Sequence, residues 1–239
     1  LWVSVRAKLT AVDPTARIAT LDRNSKVRLT YDFSRDGAAY IVENVFEALE
    51  EPGQWYLDRP SGRLYYLPLP GEDPDTAEVI APALPDLLRL EGSPEAPVQA
   101  LRFEGITFAH TEWTPGLDEI FPTQAEPKVP GAVIARHAVS CRFTGCAFTH
   151  LGTYAVELAD ACRDLAITHC AMTDLGAGGV KIWHGCRRNT VADCEIGDGG
   201  ILYPSAVGVV IGKASGNRIV HNHIHDLYYS GVSAGWTWG

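Results

Sequence analysis

The sequence has no run of 18 apolar residues, so no segment reads as a membrane-spanning helix. It has no excess of positive charge. Lys and Arg number 20 against 29 Asp and Glu, a formal net charge of -9. Nucleic-acid binding needs a basic footprint and is excluded as an expectation; a polyanionic substrate is also disfavoured. The chain does not begin with Met, and no charged-then-apolar leader opens it. It starts inside the strand-like Leu1-Trp-Val-Ser-Val5 and stops just after a repeat. Both ends therefore read as cut, the chain as a fragment, and its compartment as secreted or periplasmic with the export signal elsewhere. The first half has no cysteine, and no C-x-x-C pair occurs anywhere, which removes the usual zinc spacing. Among the repeats, spans of 10–15 residues with a 3.6-residue apolar period are missing, as is the leucine spacing of leucine-rich repeats. What is present is a hydrophobic fraction of 46% over 239 residues, enough for a folded chain.

The remaining pattern is a repeat. Phe143-Thr-Gly-Cys-Ala-Phe-Thr-His-Leu-Gly152 aligns with Ile167-Thr-His-Cys-Ala-Met-Thr-Asp-Leu-Gly176 at an offset of 24, and Cys194, Ile196, Asp198 and Gly200 follow at the same offset. The next coil gains five residues around Tyr203-Pro204 before Gly208-Val-Val-Ile211. A further copy carries Asn222, Ile224, Asp226 and Gly231-Val232, and an earlier one starts at Phe103. Within each unit, short runs of alternating apolar residues are joined by Gly, Asn and Asp, the period-2 signature of strands. A unit of about 24 residues with three short strands and three bends is one coil of a right-handed parallel β-helix. Coils then stack about 4.8 Å apart, with regular coils over 98–239 and a long loop excursion over 111–130. In this register Cys146, Cys170 and Cys194 form one column, succeeded by Asn222, and Cys162 and Cys186 another. We read them as free apolar thiols in ladders, although neighbouring rungs lie within disulfide reach.

The first hundred residues read as loosely alternating strands over Leu1–Leu29 and a short amphipathic helix over Tyr40–Leu49. A hairpin of Gln54–Asp58 with Arg63–Leu67 follows, then strands at Ala77–Ile80 and Leu87–Leu90. The fold class is thus all-β, one β-helix domain with a small helix-plus-hairpin insertion over 36–75.

Polar residues fall in register too. His110, His150, Asp174, Asp198 and Asp226 occupy one position in five successive coils. Two carboxylates on neighbouring rungs stand about one strand spacing apart, and on alternate rungs about twice that. Glycoside hydrolysis uses a pair about 5 Å apart for retention and about 6.5–9.5 Å for inversion. Close like charges also push one pKa up, as a general acid requires. An Asp before a bend equally serves as a turn cap. His221-Asn-His-Ile-His225 sets three histidines on alternate residues. They face one way only on a straight strand, and Asn222 sits at a bend, so no metal or other cofactor is assigned; His223 and His225, with His150, are read as substrate contacts. Glu157 and Lys181 fall at equivalent outward positions, either a surface pair or the lining of a groove. Tyr203, Tyr228, Tyr229, Trp236 and Trp238 gather late in the chain. Tyr229 and Trp236 are read as faces for sugar stacking, which in a core would simply pack. The excursion, with Glu112, Trp113, Asp118, Glu119 and Gln124, is too long for an idle turn.

Glu43-Asn-Val-Phe-Glu-Ala-Leu-Glu-Glu-Pro-Gly-Gln-Trp-Tyr-Leu-Asp58 with Gly62-Arg-Leu-Tyr-Tyr-Leu-Pro68 resembles a segment typical of bacterial right-handed β-helix proteins, and in particular of glycoside hydrolase family 141. Asp174-Leu-Gly-Ala-Gly-Gly179, Asn222-His-Ile-His-Asp226 and Gly231-Val-Ser-Ala-Gly-Trp236 resemble the same group. The resemblance covers about Val42 to Gly239. It implies a hydrolase of plant-type or other complex polysaccharide, working through two aspartates. One matches Asp226; the other would lie in an Asp-Gly-Gly segment one to two coils further on. Asp174 and Asp198 then become secondary candidates. A polysaccharide lyase, with Lys181 as the well-placed lysine base, and a non-catalytic carbohydrate-binding or adhesin-like module are the competing readings. The expected partner is an oligo- or polysaccharide, and an uncovered final coil also predicts self-association.

Overall fold

The computed structural model describes residues 3–25, 37–116 and 124–236. They fall into two compact units, one of residues 1–26 with 81–239 and one of residues 27–80.

The larger unit is a right-handed parallel β-helix. Three parallel sheets run along it. The first stacks Arg102–Glu104, Arg142–Thr144, Ala166–Thr168, Thr190–Ala192 and Arg218–Val220. The second stacks Thr107–Thr111, Ala147–Leu151, Ala171–Leu175, Glu195–Ile196 and His223–Ile224. The third runs from Leu88–Glu91 through Gly131–Arg136, Tyr154–Asp160, Val180–Ile182 and Val209–Gly212 to Val232–Gly235. The 24-residue offset is the pairing register itself: Phe143 pairs with Ile167, and Ile167 with Val191. The gain of five residues appears where Val180 pairs with Val209.

Register makes the core. Alternate residues of every strand point inward, and parallel stacking sets like on like. Phe103 stacks on Phe143 at 4.7 Å and Phe108 on Phe148 at 5.0 Å, and these columns continue as Ile167 and Val191, and as Met172 and Ile196. All six cysteines are buried and free. Their thiols reach backbone carbonyls of the preceding coil, as Cys162 does to Ala135 at 3.2 Å and Cys186 to Leu158 at 3.4 Å. Asn222 succeeds the Cys146, Cys170 and Cys194 column: its side chain accepts from the Cys194 N–H and donates to the Val191 carbonyl, and Asn189 does the same between Leu165 and Cys162.

Each bend between strands uses a left-handed residue. One column runs Gly105, Gly145, His169, Asp193, His221; a second runs Ser140, Asp164, Arg188, Gly216; a third runs His137, Ala161, His184, Lys213. The fourth is the column read from the sequence, with φ of 66° at His110, 53° at His150, 56° at Asp174, 47° at Asp198 and 47° at Asp226. Asp, Asn and His are the side chains that best tolerate this conformation outside glycine.

Before the coils, Leu9–Asp13 and Ile18–Leu21 pair antiparallel; residues 1–2 and 26–29 of the expected strand region lie outside the described residues. In the smaller unit the hairpin is present as Trp55–Asp58 against Arg63–Tyr66. The expected helix is not. Only a single 3₁₀ turn forms, over Phe46–Ala48. Asn44 adopts φ of 57°, which breaks a right-handed helix, and Val45 at the N-cap offers no side-chain cap. Ile41, Val42 and Val45 are β-branched and further weaken helix formation. Phe46 instead packs edge-on against Tyr56 and Tyr65 at 5.3 and 5.0 Å. The expected strand at Ala77–Ile80 is irregular, whereas Leu88–Glu91 joins the third sheet.

Candidate active site

The bend after the second sheet brings the sequence-predicted carboxylates together. Leu175 bridges Gly199, and Gly199 bridges Leu227, so the preceding residues Asp174, Asp198 and Asp226 stand on consecutive rungs. The column is exposed: the side chains of His150, Asp174 and Asp226 are 56%, 49% and 75% accessible. His110 stacks on His150 at 5.1 Å, and His150 Nδ1 is bonded to the Asp174 carboxylate. Asp226 accepts from His225 Nδ1 at 2.7 Å. This contact raises the His225 pKa above the ordinary imidazole value, and the charge of Glu195 adds to it. Asp198 has no side-chain partner among the described residues. An exposed aromatic ring stands beside these rungs: Tyr228 follows Asp226 by two residues and packs against Gly200, which follows Asp198 by two.

The histidine run splits as the bend at Asn222 demands. His221 belongs to another column and points to Asp193 at 3.6 Å. His223 and His225 remain on one face, their rings stacked at 4.3 Å. Glu195, on the previous rung and in register with His223, joins them. Its carboxylate lies 3.4 Å from His225 Nε2. Nothing in the sequence singles out Glu195; its register with His223 marks it.

Glu157 and Lys181 do pair, at 3.1 Å, but not on an open surface. They lie on the outer face of the third sheet beneath residues 124–130. The Lys181 ammonium also donates to the carbonyls of Pro127 and Val129 at 2.9 and 2.6 Å, and Glu157 accepts from the Gly131 N–H at 3.0 Å. Burial lowers the Lys181 pKa, and the Glu157 charge partly restores it. The pair is therefore an anchor for the loop, because a covering segment that the local pattern could not reveal removes it from water. Both side chains also line the cleft that holds Arg89 and Trp113, so of the two sequence readings the groove lining is the one the geometry favours, with Lys181 itself only 3% accessible.

The same loop explains most of the late aromatics. Ala125, Val129, Tyr154, Tyr203 and Val207 form a second buried cluster, with Trp113, Trp183, Tyr229 and Trp236 packed on it. Tyr203 donates to the Trp113 carbonyl at 2.7 Å, Gln124 donates to the Tyr229 hydroxyl at 2.5 Å, and Trp236 leans on Trp183 at 6.1 Å. Tyr229 and Trp236 are thus half-buried, not open platforms. Glu126, which sequence reading did not single out, is buried in this layer and bonded to Ser205; desolvation holds its carboxyl above the ordinary range. Asp118, Glu119 and Trp238 lie outside the described residues. Two clefts, of about 420 and 330 Å³, open near Arg163 and Arg187 and near Arg89 and Trp113; neither includes the aspartate column.

Fold and register define a right-handed parallel β-helix with a carboxylate ladder along one bend. The family described as "Right handed beta helix region" matches residues 129–235. A solved structure named "Glycoside hydrolase" has a TM-score of 0.81 and 22% identity over 98% of this chain. The chain spans about half the length of that protein (49%). No curated protein matches the sequence. Among the described residues, no helix is long and apolar enough to cross a membrane.

Proposed function

We propose that the chain is part of a carbohydrate-active β-helix, a glycoside hydrolase acting outside the cytoplasm on oligo- or polysaccharide. The observation that carries this reading is the acidic ladder. Asp174, Asp198 and Asp226 follow one another with no Lys or Arg bonded to them among the described residues. Acids at the other bends stand singly: Asp164 is paired with Arg188 at 2.7 Å, Asp193 meets His221 at 3.6 Å, and Gly105, Gly145 and Gly216 carry no charge. Stacked like charges cost stability, so a bend needing only the left-handed conformation has cheaper residues at hand. Three carboxylates on successive rungs supply both separations that glycosidic bond cleavage uses. Adjacent rungs suit a nucleophile with an acid–base partner, and alternate rungs an acid with a base that activates water. Asp226 is the first candidate and Asp198 the second, with Tyr228 and His150 flanking the sugar.

A non-catalytic binding module is the second reading, favoured by the left-handed φ at all five column positions, which gives the same residues a conformational reason. The test is turnover by the complete protein on a panel of polysaccharides, with Asp198→Asn and Asp226→Asn variants. Loss of turnover by at least a hundredfold with glycan binding retained supports the hydrolase. Unchanged turnover in both variants, or glycan binding with no turnover in any form of the protein, overturns it. The anomer first released then tells adjacent-rung chemistry from alternate-rung chemistry.

A further inference from the structure

The geometry points to a divalent transition-metal site of the zinc class, formed by Glu195, His223 and His225. The donor atoms come from two adjacent coils and lie within 4.8 Å of one another. His223 and His225 are the i and i+2 residues of one strand end, so both imidazoles leave the same face, and Glu195 reaches it from the rung before. The distance from His225 Nε2 to Glu195 Oε1, 3.4 Å, matches the edge of a tetrahedron with metal bonds of about 2.0–2.1 Å, which is about 3.3 Å. His225 Nε2 is shut off from solvent and makes no hydrogen bond among the described residues. Its other nitrogen is held by Asp226 at 2.7 Å. A carboxylate on Nδ1 fixes the tautomer that presents Nε2 as a lone pair and makes it a better ligand. The Gly197 backbone supports the ring from below; a Cβ there would sit 2.5 Å from the imidazole.

Two imidazoles and one carboxylate suit zinc, nickel or cobalt over calcium or magnesium, which prefer all-oxygen shells. Three protein ligands leave a fourth position for water or a substrate oxygen. A bare proton on His225, held between Asp226 and Glu195, is the rival occupant of this space. His223 separates the two, because a proton bound between two carboxylates has no use for a second imidazole.

The site stands independently of the hydrolase reading, since none of its three ligands is a proposed acid or base. The test is calorimetric titration of the chelator-treated full chain with ZnCl₂, with Co²⁺ as a spectroscopic probe. One equivalent of Zn²⁺ is expected to bind. His223→Ala, His225→Ala and Glu195→Ala should each weaken it at least tenfold, Asp226→Asn by about 10–100-fold, and His221→Ala not at all. Co²⁺ should give visible ligand-field bands without thiolate charge transfer, since the six cysteines are buried. Unfolding midpoints of the metal-free variants should match the parent, which separates lost ligation from lost fold. The proposal is overturned by absence of saturable Zn²⁺ binding, by binding that survives His223→Ala and Glu195→Ala, or by thiolate bands.

Discussion

Replacing Lys181 with Met tests whether the loop over the third sheet is held by a buried charge. The ammonium contacts Glu157 and the carbonyls of Pro127 and Val129, so all three of its donors are engaged, and its side chain is only 3% accessible. Met has nearly the same volume but no donor. The substitution strands the Glu157 carboxylate, 14% accessible, with the Gly131 N–H as its remaining bond, and leaves two carbonyls unpaired. Removing one partner of a buried pair costs about 3–5 kcal/mol. A buried Met loses about as much side-chain entropy as a buried Lys, so entropy offsets little of this. We expect a loss of about 3 kcal/mol in urea unfolding, and faster proteolysis within residues 124–130. Glu157→Gln alone should cost about 2–3 kcal/mol. The double variant should cost little more than either single change, because no charge is left uncompensated, giving a coupling of about 2 kcal/mol. A loss under about 1 kcal/mol for Lys181→Met, or strictly additive single costs, would refute the reasoning.

Other outcomes follow from the bends and the loop layer. At Asp198, Asn and Gly should leave stability within about 0.5 kcal/mol of the parent, whereas Val should cost about 1–2 kcal/mol, since a β-branched residue resists φ of 47°; thermal melts decide this. Glu126 has its folded pKa raised by burial, so its contribution to stability is complete below the unfolded value near 4.5 and is lost as pH rises through the raised folded value. Glu126→Gln should therefore flatten the melting profile as pH rises above about 4.5, and parallel profiles for the two proteins would contradict the assignment. Gly178→Ala places a Cβ 1.9 Å from the Val207 carbonyl oxygen and should destabilise by about 3 kcal/mol or more in urea unfolding. The six thiols should resist a soluble thiol reagent in native buffer and react together once the chain is unfolded.

The coil period was legible because parallel stacking forces each position to solve the same packing problem in every turn. Phe103 above Phe143 and Cys146 above Cys170 are repeats in sequence because they are neighbours in space. Features set by one residue or by a distant segment were not legible. The helix expected at Tyr40–Leu49 depended on Asn44 taking a helical φ, which periodicity cannot report. Glu157 and Lys181 could be placed on the outward face of a strand, but only the path of residues 124–130 decides whether that face meets water. The division of the histidine run at Asn222 was legible, but the arrival of Glu195 from the preceding coil beside His223 and His225 was not.

The aspartate column shows how function and conformation become entangled in a solenoid. The steric rule that favours Asp and His at a left-handed bend also delivers carboxylates at about the spacing that glycosidic chemistry uses. Recurrence in register is therefore weak evidence for chemistry, and the partners of each member are stronger evidence. Asp174 is bonded to His150 and Asp226 to His225, whereas Asp164, in a neighbouring column, is neutralised by Arg188 and held well inside the ordinary ionised range. Asp198 has an aspartate on the rung to either side and no bonded partner among the described residues. If the ladder were only a set of turns, Asp198 would be its most dispensable charge, and Asp198→Asn would relieve repulsion and leave any glycan turnover unchanged. If the ladder is a catalytic device, the same substitution removes the one carboxylate free to exchange protons with a substrate, and turnover falls while stability holds or rises. A gain in stability joined to a loss of turnover is an outcome that the turn reading does not produce.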